Sequence, residues 1–305
     1  MHILITGDWH IRTTSPRYRT DDYYSTLMGK LSFIFALAKE KGCGAILQPG
    51  DFFDGPDQSN KVEIDLINLF KEKNIPIYTV LGQHDLRHRN ADGTALTKFD
   101  AIELVEIVSN DPIRYEGNIH IYGASWEEEI PEVINKDAVN ILVMHKMVIN
   151  GKPLWPGQTD YITAKSMLPK YDDYNLIVSG DNHQHFTYGE KSGSILINCG
   201  SLMRTNVTQR DHQPVVYIVD METQKMDQYL IPIAPIEDVM ELELADEIKE
   251  RNEALEAFMT SLSSDYAIDV NFEENLKSLM ATNETSDHVK TLANKFLGKY
   301  YEGIK

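Results

Sequence analysis

The sequence predicts an α/β fold, because strand-like and helix-like segments alternate over roughly its first 200 residues. Short runs rich in β-branched and other apolar residues recur along this part of the chain. Segments with helical apolar spacing separate the first three runs. A later region contains two strands with no helix between them. The alternation is typical of a largely parallel core sheet that is covered by helices.

The first predicted helix, Asp22–Lys41, has apolar residues such as Leu27, Leu31 and Ile34 at helical spacing. A second helix is predicted for Asn60–Lys73. The last two strands indicate a second sheet or an antiparallel edge. The candidate strands are Ile3–Thr6, Ala45–Gln48, Pro76–Val80, Ile119–Tyr122, Asn140–Met144, Asn175–Val178, Ser194–Asn198, Val215–Asp220 and Asp227–Ile231.

Composition changes after residue 240, where the chain becomes a series of acidic helical segments. We predict a core over residues 1–205, a strand-rich extension over 206–240 that completes the core or forms a reduced cap, and a helical segment over 241–305. Apolar residues of the last segment could dock on a partner or pack on this protein's own core. They are Phe272, Leu276, Leu279, Met280, Val289, Leu292, Phe296, Leu297 and Tyr300.

The formal net charge of −18 argues against a free-standing, high-affinity nucleic-acid binder, since such proteins usually present a basic field. Bound divalent cations or a basic partner could offset this charge. The sequence has no apolar run of membrane-spanning length and no signal-peptide pattern at its start. Cys43 and Cys199 lack the spacing of a metal site or a disulfide framework. We therefore expect no membrane association and a cytoplasmic location.

Five candidate strands run directly into side chains that bind metals. The clusters are Gly7-Asp8-Trp9-His10, Gly50-Asp51-Phe52-Phe53-Asp54, Gly82-Gln83-His84-Asp85, His145 and Gly180-Asp181-Asn182-His183-Gln184-His185. The carboxyl ends of strands in an α/β sheet line one crevice, so these clusters can meet in space. Any one of them could be an ordinary turn or helix cap. Five in this order indicate a site for two divalent metals, which together can clamp a phosphate and activate a water.

The ordered set resembles the calcineurin-like metallophosphoesterase superfamily over about residues 1–205. The resemblance implies a four-layer αββα sandwich, in which two sheets pack face to face with helices outside. It implies that Asp8 and His10 bind one metal, that Asp51 bridges both, and that Gln83 and His145 bind the second. His84 falls on the family's non-ligand histidine, which assists the leaving oxygen and would be held by the neighbouring Asp85.

Two positions depart from the family pattern. Gln83 stands where the family has asparagine, which places the amide oxygen one methylene further out. In the last motif, a gapless register makes Asp181 and His183 the ligands, whereas a two-residue insertion would make His183 and His185 the ligands. We favour the gapless register because it keeps Gly180 at the end of the strand. An additional carboxylate favours Mn²⁺, with Mg²⁺ as the alternative, over Zn²⁺.

Within the superfamily the chain is most similar to the SbcD-type branch of phage and bacterial DNA repair and recombination nuclease subunits. The opening of the chain, the Asn198-Cys199-Gly200-Ser201 segment and the helical C-terminal segment carry this similarity. It implies a DNA substrate, an SMC-like ATPase partner of the SbcC type, a homodimer and, for a phage-encoded protein, location in the host cytoplasm. Basic residues beside the motifs could contact DNA phosphates or simply pair with nearby acids. They are Arg12, Arg17, Arg19, Arg87, Arg89, Lys146 and Arg204.

Two rival functions stay open at this point. The same superfamily acts on nucleotides, small phosphodiesters and phosphoproteins, and the acidic charge supports such a substrate. Gln83 and Asp181 are compatible with a scaffold that has lost its chemistry and only binds.

Overall fold

The computed structural model describes residues 1–155, 157–189, 193–206, 209–242, 280, 288–292 and 295. The chain divides into two compact units, Met1–Glu241 and Leu242–Lys305. Among the described residues of the first unit, the helices are α1 (Tyr23–Glu40), α2 (Asn60–Lys73), α3 (Ala95–Ala101), α4 (Ala164–Lys170) and α5 (Ile236–Val239), with a 3₁₀ helix at Gln83–Asp85. Its strands are β1 (His2–Ile5), β2 (Cys43–Gln48), β3 (Ile77–Thr79), β4 (Glu106–Ile107), β5 (Ile113–Tyr115), β6 (Ile119–Ala124), β7 (Val139–Met144), β8 (Val148–Ile149), β9 (Ile162–Thr163), β10 (Leu176–Ser179), β11 (Phe186–Gly189), β12 (Ile195–Asn198), β13 (Val215–Asp220) and β14 (Met226–Leu230).

The strands form two six-stranded mixed sheets, with β8 and β9 paired separately. The first sheet has the order β14-β13-β1-β2-β3-β4, and the second has the order β11-β12-β10-β7-β6-β5. In the first sheet β1 to β4 run parallel, while β13 pairs antiparallel with β1. In the second, β12, β10, β7 and β6 run parallel and the outer strands are antiparallel. The two strands after residue 210 therefore form an antiparallel edge of the first sheet.

The two sheets pack face to face through a core of aliphatic side chains. Ile5 and Leu47 of the first sheet belong to the same buried cluster as Val143 and Val178 of the second. Helices α1, α2 and α3 cover the outer face of the first sheet, where Ile34 and Leu66 are buried. Helix α4 covers the second sheet. The predicted α/β class and the four-layer αββα arrangement are confirmed.

Both long helices begin and end close to their predicted limits. The second predicted helix has the observed bounds, with the Ser59 side chain accepting from the Val62 N–H at its start. The first begins one residue later than predicted because Asp22 is its N-cap, and Asp22 Oδ1 accepts the Ser25 N–H at 3.0 Å. Most predicted strands are shifted by one or two residues, since strands are defined by partners that the local sequence does not specify.

In the second unit, six of the nine residues of the proposed docking face lie outside the described residues. Of its members, only Met280, Val289 and Leu292 are described, and Leu292 is 41% exposed. The predicted boundaries at residues 205 and 240 stay a prediction. No helix among the described residues is both long enough and apolar enough to cross a bilayer.

Candidate metal centre

The five strand ends that carry the predicted ligands meet at one place. The ends of β1, β2 and β3, which are neighbours in the first sheet, supply Asp8, His10, Asp51 and Gln83. The ends of β7 and β10, which are neighbours in the second sheet, supply the remaining residues. We call these seven residues the strand-end cluster: Asp8, His10, Asp51, Gln83, His145, Asp181 and His183.

One half of the strand-end cluster surrounds Asp8. The ligand atoms that Asp8, His10 and His183 can offer all lie within 4.8 Å of one another. His10 Nε2 lies 3.1 Å from His183 Nε2, and His183 Nε2 lies 3.7 Å from Asp8 Oδ2. Two imidazoles and a carboxylate at these distances can bind one divalent cation.

Asp51 joins this half to the other. Its Oδ2 atom lies 3.5 Å from His10 Nε2 and 3.4 Å from His145 Nε2. His145 is fully buried, and its Nδ1 lies 2.7 Å from the Pro49 carbonyl oxygen. That hydrogen bond orients the ring and turns Nε2 towards Asp51. A cation between Nε2 and the carboxylate would satisfy both.

Gln83 and Asp181, the two departures from the family pattern, contact each other. Gln83 Nε2 donates to Asp181 Oδ1 at 3.3 Å, which leaves the amide oxygen of Gln83 free. The Asp181 N–H donates to Asp8 Oδ2 at 3.0 Å. The residues of the gapless register, Asp181 and His183, therefore lie in the cluster. His185 instead faces His212, with ring centroids 6.4 Å apart.

Four side chains of the cluster share one arrangement: the protein holds one polar atom and leaves the other free. Each of Asp8, Asp51, Gln83 and His145 makes one of the hydrogen bonds given above or accepts a backbone N–H, as Asp51 Oδ1 does from His84 at 3.0 Å. Among the described residues no hydrogen-bond partner reaches the other atom of each pair, although all four atoms are buried. These atoms are Asp8 Oδ1, Asp51 Oδ2, Gln83 Oε1 and His145 Nε2. Buried unsatisfied atoms are rare, and two divalent cations would satisfy this set.

The backbone of the cluster is strained at three of the predicted ligands. His10, Asp51 and Asp181 have φ values of 45°, 47° and 74°, in the left-handed region that costs non-glycine residues about 1–3 kcal/mol each. Gly180 permits the close approach of the two sheets' loops. A Cβ there would lie 2.5 Å from the Pro49 oxygen and 2.6 Å from Asp8 Oδ1. Strain of this kind is concentrated where a structure must hold functional groups in place.

The electrostatics of the cluster favour a bound cation. Burial, together with the charge of Asp51, raises the pKa of Asp8 to about 8. Burial alone would lower the pKa of His145, but the carboxylates of Asp51 and Asp8 outweigh it and raise that pKa to about 10. Burial and the nearby His10 lower the pKa of His183 to about 4, which keeps it neutral and able to bind a metal. The field that attracts a proton to His145 also attracts a metal ion.

Asp54 is part of the site although it was not among the predicted site residues. Its Oδ1 lies 3.3 Å from His10 Nδ1, and its Oδ2 accepts from Arg12 NH1 at 2.6 Å. A carboxylate at Nδ1 fixes the tautomer of a metal-binding histidine and orients its ring. Its position as the second aspartate of Gly-Asp-x-x-Asp was the available signal.

His84 lies at the mouth of the site and is exposed. Its ring stands edge-on to His10, with centroids 4.9 Å apart, and its Nδ1 lies 3.3 Å from the Asp54 carbonyl oxygen. The expectation that Asp85 holds this ring is wrong. Asp85 is fully buried and accepts the N–H groups of Phe53, Phe52 and Gly82 at 2.9, 3.2 and 2.9 Å. It ties the β3 loop to the β2 loop instead.

The predicted DNA-contacting residues fall into two groups. Arg17, Arg87 and Arg89 are exposed, while Arg12 and Lys146 are partly buried. Three of these five pair with acids: Arg12 with Asp54, Arg87 with Asp57, and Arg89 with Glu127. Arg17 instead lies over the Tyr18 ring, 5.8 Å from its centroid.

Arg19 and Arg204 are buried, which corrects the expectation that they reach DNA. Arg19 binds both oxygens of Asp21, at 2.7 and 2.6 Å, and donates to the Arg204 carbonyl oxygen at 3.1 Å. Arg204 donates to the Ala234 carbonyl oxygen at 2.6 Å. With the equally buried Lys30 they form what we call the buried cation cluster: Arg19, Lys30 and Arg204.

Known proteins similar to this chain are phosphoesterases and nucleases. The chain is 27% identical over 217 residues to the DNA double-strand break repair protein Mre11 of Sulfurisphaera tokodaii, covering 65% of this chain and 53% of that protein. It therefore spans about half the length of this relative. It is 24% identical to the SbcD component of the nuclease SbcCD of Staphylococcus saprophyticus, covering 83% of this chain and 75% of that protein.

A solved structure and a family model also match the chain. A dimetal phosphatase from Danio rerio superposes with a TM-score of 0.47 and 11% identity, covering 77% of this chain and 99% of that one. The model of the calcineurin-like phosphoesterase family matches residues 1–185, which include all seven members of the strand-end cluster. The chain belongs to the calcineurin-like phosphoesterase family.

Proposed function

We propose that this chain is a Mn²⁺-dependent DNA nuclease that hydrolyses phosphodiester bonds with two metal ions. The observation that carries the proposal is the set of four free, buried ligand atoms described above. The nuclease and DNA repair proteins among the relatives support DNA as the substrate. Mg²⁺ is the alternative metal, because oxygen atoms predominate among the ligand atoms of the half of the cluster that contains Gln83, His145 and Asp181, together with the shared Asp51.

Each residue of the cluster has a role in this proposal. Asp8, His10 and His183 would hold one ion, Gln83, His145 and Asp181 would hold the other, and Asp51 would be shared. When bound, the two ions would orient the phosphate, lower the pKa of a water and stabilise the leaving oxygen.

His84 is proposed to assist departure of the leaving oxygen. A hydrogen bond from the Nδ1–H group to the Asp54 carbonyl oxygen would fix the ring. The doubly protonated ring would then give its Nε2 proton to the leaving oxygen and become a neutral imidazole.

The test is a cleavage assay on labelled single-stranded and double-stranded DNA with Mn²⁺, with and without the proposed ATPase. We expect His84→Ala to lower the rate by about 10²–10⁴-fold, the range for loss of a general acid. His2→Ala is the matched control, because His2 is exposed at the opposite, amino end of β1. Wild-type protein that cleaves no better than His84→Ala would contradict the proposal.

A second candidate substrate is a nucleotide, a small phosphodiester or a phosphoprotein. The net charge of −18 and the pairing of Arg12, Arg87 and Arg89 with acids favour it, since both weaken attraction for a polyanion. Rapid turnover of bis-p-nitrophenyl phosphate without action on DNA would select this candidate. Metal analysis would separate both enzymes from a binding scaffold, which should retain less than one metal per chain.

We further propose a homodimer that works with an SMC-like ATPase in DNA recombination and repair. Support comes from the nuclease SbcCD, of which one relative is a component. The segment proposed to dock on the ATPase, residues 241–305, lies almost entirely outside the described residues. Light scattering of the chain alone would measure whether it is a dimer, and light scattering with the ATPase coiled coil would measure whether the two bind. A monomer that does not bind the coiled coil would contradict this proposal.

A further inference from the structure

A cavity of about 610 Å³ opens beside the strand-end cluster. Gln83, His84, Asp181 and His183 contribute to its lining, so it is continuous with the candidate metal centre. Its volume lies in the range of small-molecule sites, about 300–1,000 Å³. The proposed catalytic roles use the four residues named here and leave the rest of the lining without a function.

The remaining lining is rich in polar side chains that carry hydrogen-bond donors and acceptors. Amide and imidazole side chains predominate, among them Gln184, His185, Gln209 and His212. No lysine or arginine occurs among the described residues of the lining, whereas Asp211 contributes a carboxyl group. Such a surface disfavours a phosphate group. It suits a flat, uncharged group that carries hydrogen-bond donors and acceptors on its edge.

Trp155 gives the cavity a flat apolar surface. Its side chain lines the cavity and is 52% exposed, whereas Trp9 is fully buried. The turn that carries Trp155 is anchored by Gln158, which is itself buried. Gln158 Oε1 accepts the Leu154 N–H at 2.8 Å, and the Gln158 N–H donates to the Trp155 carbonyl oxygen at 3.3 Å. The protein thus presents an indole at the cavity on an anchored turn.

The polar part of the lining is also held in place. The Gln184 N–H donates to Asn182 Oδ1 at 2.9 Å, and buried Asn182 donates to the Val148 carbonyl oxygen at 2.8 Å. His212 Nε2 lies 2.7 Å from the Ser201 carbonyl oxygen, which fixes its ring beside His185. Gln184 and His185 are exposed and available to a ligand in the cavity.

We propose that this cavity is a nucleobase subsite, which binds the base of the nucleotide whose phosphate lies at the metal centre. Trp155 stacks on the base, and Gln184 and His185 bond to its edge. Stacking of a base on an aromatic side chain contributes about 1–3 kcal/mol and suits any base. The subsite rests on the proposed function, because a nucleic-acid substrate supplies the base. A base in this cavity has left its helical stack, so frayed or single-stranded ends are the preferred substrates.

The first experiment measures base binding without metal or catalysis. Deoxyadenosine is titrated into the full chain in EDTA, and indole fluorescence is recorded with 2-deoxyribose as the compound that lacks a base. We expect deoxyadenosine to quench the fluorescence and 2-deoxyribose to leave it unchanged. Trp155→Phe should abolish the quenching because neither of the other two tryptophans, Trp9 and Trp126, belongs to the described lining of the cavity. Leu230→Ala, which removes an exposed apolar side chain of β14, should retain it. Quenching that survives in Trp155→Phe, or none in wild type, would overturn the subsite.

The second experiment compares oligonucleotides whose terminal nucleotide is intact or abasic, with Mn²⁺. Wild type should cleave the intact end about 5–150-fold faster, the equivalent of 1–3 kcal/mol of stacking. Trp155→Ala should reduce this ratio towards one, and Trp155→Phe should keep most of it. Equal cleavage of both ends by wild type would overturn the subsite and leave the nuclease intact. Quenching by deoxyadenosine with no cleavage of any DNA would overturn the nuclease instead.

Discussion

The strand-end cluster and the buried cation cluster both place charge in the interior, but their polar atoms are treated differently. In the buried cation cluster, Lys30 donates to the Leu202 carbonyl oxygen at 2.8 Å, and both arginines donate to protein acceptors. In the strand-end cluster, four side chains keep a buried ligand atom free of any described hydrogen-bond partner. Buried charge alone therefore does not mark a ligand site. Several unsatisfied ligand atoms gathered at one place do.

One loop connects the buried cation cluster to the strand-end cluster. The Leu202 N–H donates to the Asp8 carbonyl oxygen at 2.9 Å, while the Leu202 carbonyl oxygen accepts from Lys30. The loop after β12 is thus held between the backbone of a proposed ligand and the buried Lys30 side chain. We infer that the buried cation cluster is structural, and that its loss should change stability before it changes chemistry.

The largest effect is expected from Asp51→Asn, which removes the carboxylate that both halves of the strand-end cluster share. We expect DNA cleavage to fall about 10³-fold or more, because several kcal/mol of transition-state stabilisation depend on the metals. Metal content, measured by mass spectrometry, should fall below two ions per chain. Asp65→Asn, on the outer surface of α2, is the control that should leave both values unchanged. A fully loaded, active Asp51→Asn protein would contradict the shared role.

A smaller effect is expected from Asp54→Asn, since Asp54 orients His10 without being a proposed ligand. Loss of such a partner typically lowers metal affinity or activity about 10–100-fold. The Mn²⁺ concentration for half-maximal cleavage should rise, and high Mn²⁺ should restore part of the rate. A decrease as large as that of Asp51→Asn, without rescue, would mean that Asp54 is itself a ligand.

The position of most of the strand-end cluster was predictable from the sequence because each proposed ligand follows a strand by one to five residues. Asp8, Asp51 and His145 needed only the strand and the rule that strand ends meet. The role of Asp85 could not be predicted, because it depends on which backbone N–H groups the fold brings to a buried carboxylate. The burial of Arg19 and Arg204 could not be predicted either, because it depends on contacts that the fold brings together. An arginine after a motif is exposed or buried according to distant contacts, such as that with Ala234.

The fold also has parts that could be predicted from the sequence and parts that could not. Periodicity predicted both long helices, and the motif order predicted the layers. The sequence left open whether β13 and β14 form a second sheet or an antiparallel edge, because the pairing of β13 with β1, such as Leu4 opposite Ile218, joins segments more than 200 residues apart. Trp155 had no local signal either. A binding role for an exposed tryptophan can be proposed only when the structure shows the cavity beside it.

Lys30→Met tests the structural role of the buried cation cluster through pH. Burial, with Arg204 and Arg19 nearby, lowers the pKa of Lys30 to about 7 from its ordinary value of 10.5. Between these values the unfolded chain binds a proton that the folded protein does not. The contribution of Lys30 to stability therefore rises with pH in this window and is lost as pH falls towards 7.

Denaturant titrations of wild type and Lys30→Met at pH 7, 8 and 9 would measure this effect. The difference in unfolding free energy between them should change in favour of wild type by about 1 kcal/mol per pH unit. DNA cleavage at pH 7 should be unchanged, because Lys30 is outside the proposed catalytic machinery. A difference that is independent of pH would show that Lys30 stays charged when buried, and that the cluster is held by its charge.

The smallest effect is expected from Arg17→Gln, which sharpens the distinction between exposed and buried arginines. Arg17 is exposed and makes no ion pair among the described residues, so it is the candidate most able to reach a DNA phosphate. Removing one such contact should weaken DNA binding a few-fold. It should also reduce the slope of log Kd against log salt concentration by about one unit. Fluorescence anisotropy with a phosphorothioate duplex would measure both. Arg114→Gln is the matched control, because Arg114 is equally exposed on the outer strand β5. An equal loss in the two variants would mean that DNA responds to net charge alone, and that no arginine beside the strand-end cluster has a specific role.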